Sequence, residues 1–564
     1  MRSLVLALVL LGFATQDKAA RKLEWKLPPG HAAEFVYLDR AGKPVADQKL
    51  LIFGTELTPT SNRLAIDTFE QLPLALIFQL PPEAMKSAIG WEHLSYYFND
   101  ALDVAGGYDA LAGGGLRAVC AKGRYVAKTQ KKGDEELVII EGSLSIVELR
   151  RDLVNNQLRV IVTKNELGTL ATQAQFNPAK GMIQKAVWQY KIKGQDREAG
   201  RVVDKRTETH SMIELKEDLE LDAAKIQPAI DLSMTRAIDW LKKQQKGGSW
   251  ANGKPGPAGD AAYLTSIAVR ALVAAGVKPD DPVIAQASKT LRSTPPQENF
   301  VLCQQILALS AKNPTKDEAD DAKRFAEELL RRKDPRSGGW AGVSGRNDPA
   351  GTFLSALALE ALAAVPEAKI PDDTLRSGLE FFSGSWVEDE GKGDLELELE
   401  KDAATIVLDP KKDKDLVPVN WPALMARQNV NDQRAIRKGS FFTVVAGLRM
   451  LFLLPERLKL DERQTKNLEL PIHRALANLQ LRWTLRAVPP IEGPWSAQRL
   501  EYLGLLGPTL AHAKIDKIGG SDWRLEGASL LLREQGDDGS WFPGTDQAVL
   551  KTAHALLFLA SAKR

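Results

Sequence analysis

The chain has few cysteines and almost no net charge, and each shortage excludes a class of protein. Its 564 residues contain two cysteines, Cys120 and Cys303, which are too few for a disulfide framework and are expected to be buried thiols. The 75 Lys and Arg residues nearly balance the 73 Asp and Glu residues, for a net charge of +2. No basic segment is interleaved with aromatic residues, so electrostatic attraction gives no case for a nucleic-acid partner.

Long apolar runs are also missing, and the longest stretch of this kind lies at the N-terminus. Arg2 is followed by an apolar segment at Leu4 to Leu11 and by small residues around Gly12 to Ala14. This segment is shorter than the roughly 18 apolar residues of a membrane span. It predicts a signal peptide over residues 1–14, export to a periplasmic or extracellular location, and no transmembrane segment in the remainder.

The chain is long enough for two or more domains, and its hydrophobic periodicity divides it near residue 228. Residues 22–227 alternate with period two and predict a β-rich domain, a curved sheet or partly open barrel. Turn signals between the later strands predict a meander of antiparallel neighbours. One helix is expected at 82–102. The strands are predicted at 33–37, 116–128, 136–150, 158–163 and 183–192.

Beyond residue 228 the period changes to 3.6 and predicts about twelve helices in six pairs. The exception is the segment at 387–420, where 394–400 alternates strictly and 404–408 is β-rich. That pattern predicts a β-hairpin inserted within the fourth pair. The predicted pairs are 229–245 with 258–275, 282–293 with 298–311, 317–333 with 349–364, 371–383 with 434–453, 466–483 with 495–511, and 521–535 with 545–561.

A Gly-x-Trp tripeptide recurs five times in the helical half, each time after a helix-like stretch. Gly permits a tight turn and an indole can pack over it, so the recurrence indicates stacked helical units. In two repeats a Gln precedes the tripeptide, at Gln245 and Gln535, whereas Asp334 stands at that place in another. The five tryptophans, assigned as structural motif residues, are Trp250, Trp340, Trp386, Trp495 and Trp541.

These repeats resemble the Gln-Trp motif of the squalene cyclase and prenyltransferase-type repeat family over residues 229–564. The resemblance implies a terpenoid cyclase-like toroid, and the C-terminal segment also resembles exported bacterial proteins of this class without an assigned reaction. The predicted fold class is therefore multidomain, with a mainly antiparallel β domain followed by an all-α (α/α)6 toroid. Each Gln amide is expected to cap the end of its helix. Asp260, Asp348 and Asp546 are expected to start inner helices.

The acidic motifs that this family uses for catalysis are incomplete here. Triterpene cyclases use an Asp-x-Asp-Asp-Thr acid, and the nearest sequence is Pro371 to Thr374, which lacks the leading Asp. We therefore interpret Asp372 and Asp373 as a helix start. The Asp317 to Asp321 segment superficially matches the acidic cluster that binds Mg²⁺ and diphosphate, but it follows a Thr at the beginning of an outer helix, where acids are favoured in any case.

The remaining chemistries of such folds also lack their residues. Cys303 has no Asp two residues earlier to complete a zinc site. Ile306 stands where a thioester protein needs Gln. The residues that a lyase mechanism could recruit as a base or a cation are at no diagnostic spacing; they are His473, His512, His554 and Arg499.

The sequence thus favours an exported, non-catalytic binding or interaction protein that can hold an apolar ligand or a protein partner. No catalytic, metal or cofactor-binding residue is assigned. Two alternatives stay open. One is a toroid enzyme acting on an isoprenoid or a polysaccharide through residues that converge only in three dimensions. The other is a lipid-handling protein that uses the N-terminal sheet.

Overall fold

The computed structural model describes most of the chain from residue 21 onward. Its description covers residues 21–563 apart from 40, 59–60, 63–77, 86–87, 99–117, 134, 155–156, 199–200, 251–260, 294–295, 297, 312, 343–349, 389–394, 396, 401–415, 423–440, 487, 489–497 and 543–546. The predicted signal peptide, Asp260, Asp348, Asp546 and Trp495 lie outside the described residues, and the division into domains stays a prediction.

The N-terminal region is an eight-stranded antiparallel sheet with the strand order β2-β1-β10-β9-β8-β7-β6-β5. Consecutive strands from β5 to β10 are neighbours, and the turn signals predict this for β6 to β9. Two short strands, β3 (Leu57–Thr58) and β4 (Ser61–Asn62), pair separately. The sheet strands are β1 (His31–Leu38), β2 (Pro44–Phe53), β5 (Ala88–Phe98), β6 (Ala118–Lys132), β7 (Glu135–Val154), β8 (Gln157–Asn177), β9 (Met182–Glu198) and β10 (Arg201–Glu220).

The helix predicted at 82–102 is wrong, because Ala88–Phe98 forms the strand β5 along β6. The alternating side chains of this segment explain the difference. Trp91 stacks on Tyr125 of β6, with ring centroids 5.2 Å apart, and His93 meets the same ring edge-on. Aromatic pairing across two strands stabilises a sheet, and here it outweighs the local helical pattern.

The C-terminal region is helical, and its first helix begins at Ala223, where Asp222 caps the chain by accepting from the Ala224 amide. This start is earlier than the predicted residue 229, and Pro228 lies within the helix. The helices are α1 (Ala223–Gln244), α2 (Ala261–Ala274), α3 (Pro282–Leu291), α4 (Asn299–Leu309), α5 (Lys316–Arg331), α6 (Thr352–Ala363), α7 (Asp372–Gly384), α8 (Phe441–Leu458), α9 (Glu462–Lys466), α10 (Glu469–Leu481), α11 (Arg499–His512), α12 (Trp523–Glu534) and α13 (Ala548–Ala562).

Six of these helices form a closed ring. Helices α2, α4, α6, α8, α11 and α13 contact one another in this order, and α13 returns to α2. We call them the inner helices. Each of α1, α3, α5, α7, α10 and α12 packs against at least one inner helix, so inner and outer helices alternate along the chain. The space between the inner helices is called the ring interior below.

The insertion after α7 contains strands, and the predicted hairpin between 394–400 and 404–408 stays a prediction. Strand β12 (Leu397–Leu399) pairs with β14 (Ile515–Ile518), which also pairs with β15 (Ser521–Asp522). The segment 404–408, which was expected to be its partner, lies outside the described residues. Strands β11 (Val387–Glu388) and β13 (Val419–Asn420) pair with each other and so bring the two ends of the insertion together.

Strands β1 and β2 join the sheet to the helices because buried side chains lie on both of their faces. Ala32 and Phe53 belong to the core of the helical region, whereas Ala33 and Phe35 belong to the core of the sheet. Successive side chains of a strand point to opposite faces, so alternate residues enter the two cores. Glu34, on the same face as Ala32, binds the Arg533 guanidinium of α12 at 2.7 Å.

A buried polar contact supplements this apolar junction. Arg486, just after α10, donates to the Glu56 carboxylate, with Nη2 2.9 Å from Oε2, and also to the Leu51 carbonyl. The Thr55 hydroxyl donates to Glu526 of α12 at 3.0 Å, and Ser521 donates to the same carboxylate at 2.7 Å. The junction therefore holds ionisable groups away from water.

Glu526 should make the stability of the protein depend on pH. Burial raises the pKa of Glu526 to about 8, and hydrogen bonds from Ser521 and Thr55 only partly oppose the rise. Since this pKa exceeds the ordinary value of 4.5, the stabilising contribution is complete at low pH and is lost as pH rises through the folded-state pKa. The free energy of unfolding should fall by roughly 1 kcal/mol between pH 7 and pH 8.

Urea denaturation at a series of pH values measures this fall, and Glu526→Gln is the control because it cannot ionise. If the variant shows the same slope as the original protein over this interval, Glu526 is not its source.

Candidate functional site

The repeat motif fixes the turns that lead from outer to inner helices. The Trp250 indole donates to the Leu241 carbonyl near the end of α1 at 2.8 Å, and its backbone amide donates to the Thr265 hydroxyl of α2 at 3.3 Å. Trp340 makes the same two bonds, to Leu329 and Ser355. In the last repeat the Trp541 indole and amide bind Leu531 and Thr552. These tryptophans are fully buried and act as structural residues.

The glutamines of the motif have a different role from the predicted one. Gln245 donates to the Val283 carbonyl of α3 at 2.7 Å. Gln535 donates to the Ser233 carbonyl of α1 at 3.0 Å and to the Gly539 carbonyl. Each amide therefore bonds to the next outer helix rather than capping its own. The contact from Gln535 also links the last repeat to the first.

Trp386 is not the structural tryptophan of the fourth repeat. Its ring is half-buried, with the Arg474 guanidinium 5.7 Å from its centroid. Trp421 takes the motif position instead, because its indole donates to the Phe382 carbonyl near the end of α7 at 3.0 Å. The insertion separates the two tryptophans in sequence and so hides the match.

The acidic residues that were weighed as catalytic groups have structural surroundings. Asp372 and Asp373 are exposed at the beginning of α7. Asp317 lies 3.2 Å from Arg292, and Asp321 pairs with Arg324 at 2.7 Å. Although burial opposes the change, hydrogen bonds from both arginines lower the pKa of Asp321. Asp317, Asp372 and Asp373 therefore lie in the first turns of helices, as the sequence predicts. Asp317 and Asp321 also form ion pairs, which the sequence does not predict.

The other candidate residues are dispersed over several helices. Burial raises the pKa of the Cys303 thiol in α4. His473 is buried in α10, and His512 ends α11, 3.5 Å from Glu456. Arg499 binds Glu534 at 2.7 Å. The described residues hold no group of three or more His, Cys, Asp or Glu side chains that is suited to a metal ion.

The ring interior contains ion pairs as well as apolar side chains. Glu360 of α6 accepts from Arg449 of α8 at 2.8 Å, and the Arg270 guanidinium of α2 lies 3.8 Å from the same carboxylate oxygen. Arg270 also donates to the Gln304 side chain of α4. We call Arg270, Glu360 and Arg449 the interior charge group. It joins three inner helices that are far apart in sequence.

A second ion pair lies near the beginnings of α11 and α13. The Lys551 ammonium is 2.8 Å from the Glu501 carboxylate, and it also lies 5.7 Å from the Phe542 ring centroid. His554, one turn further along α13, is buried. Burial, assisted by the positive charges of Lys551 and Arg270, lowers the pKa of His554 to about 3, so this imidazole is neutral at ordinary pH.

Aromatic side chains surround the beginnings of five inner helices. Tyr263 of α2 meets Phe300 of α4 with ring centroids 5.1 Å apart. Phe442 of α8 contacts Phe353 of α6 at 5.9 Å and Tyr502 of α11 at 6.2 Å. We call these five residues the aromatic belt. Phe300, Phe353 and Phe442 are only partly buried, so the belt retains accessible apolar surface.

The belt and the interior charge group occupy the same faces of their helices. Arg270 follows Tyr263 by seven residues, and the same spacing separates Glu360 from Phe353 and Arg449 from Phe442. Seven residues are nearly two helical turns, or about 10 Å along the axis. The sequence alone contains this regularity, and a search of the predicted inner helices for a charged residue seven places after an aromatic one could have revealed it.

Comparisons with known proteins give distant structural likenesses. No known family profile matches the chain, and no curated protein matches it. A type II terpene cyclase from Scytonema is 16% identical, with a TM-score of 0.36, over 60% of this chain and 98% of that one. An unsaturated glucuronyl hydrolase specific for heparin is 13% identical, with a TM-score of 0.38, over 60% of this chain and 96% of that one.

A family 76 glycoside hydrolase from a bovine Bacteroides thetaiotaomicron strain is 10% identical, with a TM-score of 0.38, over 77% of this chain and 97% of that one. All three TM-scores lie below 0.5, and the ring described above rests on the contacts of this chain's own helices. Across the described residues, no helix has the length and apolar character needed to cross a membrane.

Proposed function

We propose that the protein is an exported, non-catalytic binding protein, built on an (α/α)6 toroid of the squalene cyclase type, that holds an apolar ligand at the aromatic belt. The observation that carries this proposal is the partly accessible set of aromatic rings where five inner helices begin. Concave sites with aromatic walls and few polar groups bind apolar molecules. The sequence resemblance supports the toroid, and the N-terminal apolar segment supports export.

The acidic groups considered for catalysis support the non-catalytic part of the proposal. Asp317 and Asp321 are engaged by arginines, and Asp372 and Asp373 begin a helix at the surface. A cyclase acid must instead be held protonated in a dry cavity. The proposal therefore expects ligand binding without turnover.

Removing belt side chains should weaken the binding of a neutral apolar probe. We expect the Phe353→Ala/Phe442→Ala double variant to bind N-phenyl-1-naphthylamine about tenfold more weakly than the original protein, since each lost ring removes apolar contact area. Fluorescence titration measures the affinity. Phe381→Ala is the matched control, because this half-buried ring lies on the outer helix α7. Equal affinity in all three proteins would rule out the belt as the site.

A second candidate function is a toroid enzyme acting on an isoprenoid or a polysaccharide. The interior charge group favours it, because ionisable side chains from three helices meet inside the ring. Incubation with squalene, with farnesyl diphosphate and Mg²⁺, and with acidic polysaccharides, followed by mass spectrometry, distinguishes the two. A product that disappears in Glu360→Gln would favour the enzyme. The lipid-handling role of the N-terminal sheet stays a prediction.

A further inference from the structure

The interior charge group has more positive than negative charge. Two guanidinium groups, on Arg270 and Arg449, share the single carboxylate of Glu360. The neighbouring Lys551 and Glu501 neutralise each other. Since His554 is neutral, these side chains together leave one positive charge uncompensated inside the ring. Positive charge that is held away from bulk water attracts an anion.

Hydrogen-bond donors beside this charge lack acceptors. Among the described residues, the Nε and Nη1 atoms of Arg449 are buried and have no hydrogen-bond partner. Buried donors without acceptors are unfavourable, and a structure usually satisfies them with protein, water or ligand atoms. An oxyanion that reaches Arg449 supplies such acceptors.

The side chains of the two arginines are not completely covered. Arg270 and Arg449 keep 21% and 18% of their side-chain surface exposed, compared with 8% for Glu360. Both arginines lie two turns beyond a belt residue on the same helix face. A molecule that contacts the belt with an extended apolar part can therefore place its end near the arginines.

We propose that Arg270 and Arg449 form an anion-binding subsite that receives the carboxylate or phosphate head group of an amphiphilic ligand whose apolar chain contacts the aromatic belt. This inference rests on the proposed function and specifies its ligand as anionic. Glu360 holds the two guanidinium groups together, and the head group accepts from the arginine donors that Glu360 leaves unpaired. Guanidinium groups bind both kinds of oxyanion through paired N–H donors.

Calorimetric titration with matched probes tests the subsite. The purified full chain is titrated with laurate, with dodecyl phosphate, with the neutral analogue dodecanol, and with inorganic phosphate alone. We expect at least one of the two anionic amphiphiles to bind about tenfold or more tightly than dodecanol, the size of effect given by a hydrogen bond to a charged group. The preference between laurate and dodecyl phosphate identifies the head group.

Variants assign the preference to individual side chains. Arg449→Gln and Arg270→Gln should each reduce the advantage of the anionic probe over dodecanol by about tenfold. Glu360→Gln should strengthen anion binding, because it removes the competing carboxylate. Arg292→Gln is the control, since it removes a positive charge from an ion pair outside the ring. Circular dichroism verifies that each variant is folded. If the ion pair were purely structural, all three variants would change anion binding in the same direction, whereas an anion subsite predicts stronger binding in Glu360→Gln and weaker binding in the arginine variants.

The outcomes distinguish this inference from the proposed function. Equal binding of laurate, dodecyl phosphate and dodecanol would overturn the anion subsite and leave the apolar site in place. If none of the three binds, the proposed function fails. The titration with inorganic phosphate then tests the anion subsite by itself. Saturable phosphate binding that is lost in Arg449→Gln supports the subsite, whereas no phosphate binding overturns it.

Discussion

Replacing Trp421 with alanine is expected to lower the free energy of unfolding by about 3–5 kcal/mol, the effect of truncating a large buried aromatic side chain. The Trp421 indole is fully buried, donates to the Phe382 carbonyl and lies edge-on to the Phe382 ring at 5.8 Å. Gly447 of α8 faces this ring so closely that a Cβ there would overlap it. The cavity left by alanine would therefore lie between α7 and α8.

Trp386→Ala is the matched control for this prediction. Trp386 belongs to the Gly-x-Trp tripeptide, but its ring is half-buried and lies against the Arg474 guanidinium. We expect a loss of no more than about 1–2 kcal/mol. Urea denaturation followed by far-ultraviolet circular dichroism measures both values, with Trp250→Ala and Trp541→Ala expected to match Trp421→Ala. A larger loss in Trp386→Ala than in Trp421→Ala would restore the assignment made from the sequence.

The sequence predicts the two regions well because each has a sustained period. The alternation over β6 to β9 reflects burial of one face of each strand. The 3.6-residue repeat of the inner helices reflects burial of one stripe along each helix. The segment at 82–102 misled because strand pairing with β6 decides its conformation, and no local pattern contains that partner. The tryptophan of the fourth repeat was mispredicted because of the insertion. The insertion places the buried Trp421 39 residues after Phe382, whose carbonyl accepts from its indole.

The candidate site is harder to predict because it depends on separate helices. Arg270, Glu360 and Arg449 lie on three inner helices, and their pairing follows only when the ring closes. What the sequence does contain is the seven-residue spacing from Tyr263, Phe353 and Phe442. That spacing places each charge on the face of an aromatic residue, but it does not say which charges meet.

Arg486→Met is expected to lower the free energy of unfolding by about 3–5 kcal/mol, because it leaves the Glu56 carboxylate buried without its partner. The two side chains are 15% and 10% exposed, and Arg486 also satisfies the Leu51 carbonyl. Denaturation followed by circular dichroism measures the loss. Arg533→Met is the control, since Glu34 retains Lys49 and Lys216 at 3.2 and 3.1 Å. This variant should lose only about 1 kcal/mol of unfolding free energy.

The double variant Glu56→Gln/Arg486→Met tests whether the effect comes from the unpaired charge. Removing both members of a buried ion pair leaves no isolated ion, so the double variant should be more stable than Arg486→Met alone. Limited proteolysis provides a second measurement, because a weakened junction should expose the chain between the sheet and α1 to earlier cleavage. If Arg486→Met matches Arg533→Met in stability and in cleavage pattern, this ion pair does not hold the sheet against the helices, and the apolar contacts of Ala32 and Phe53 are sufficient.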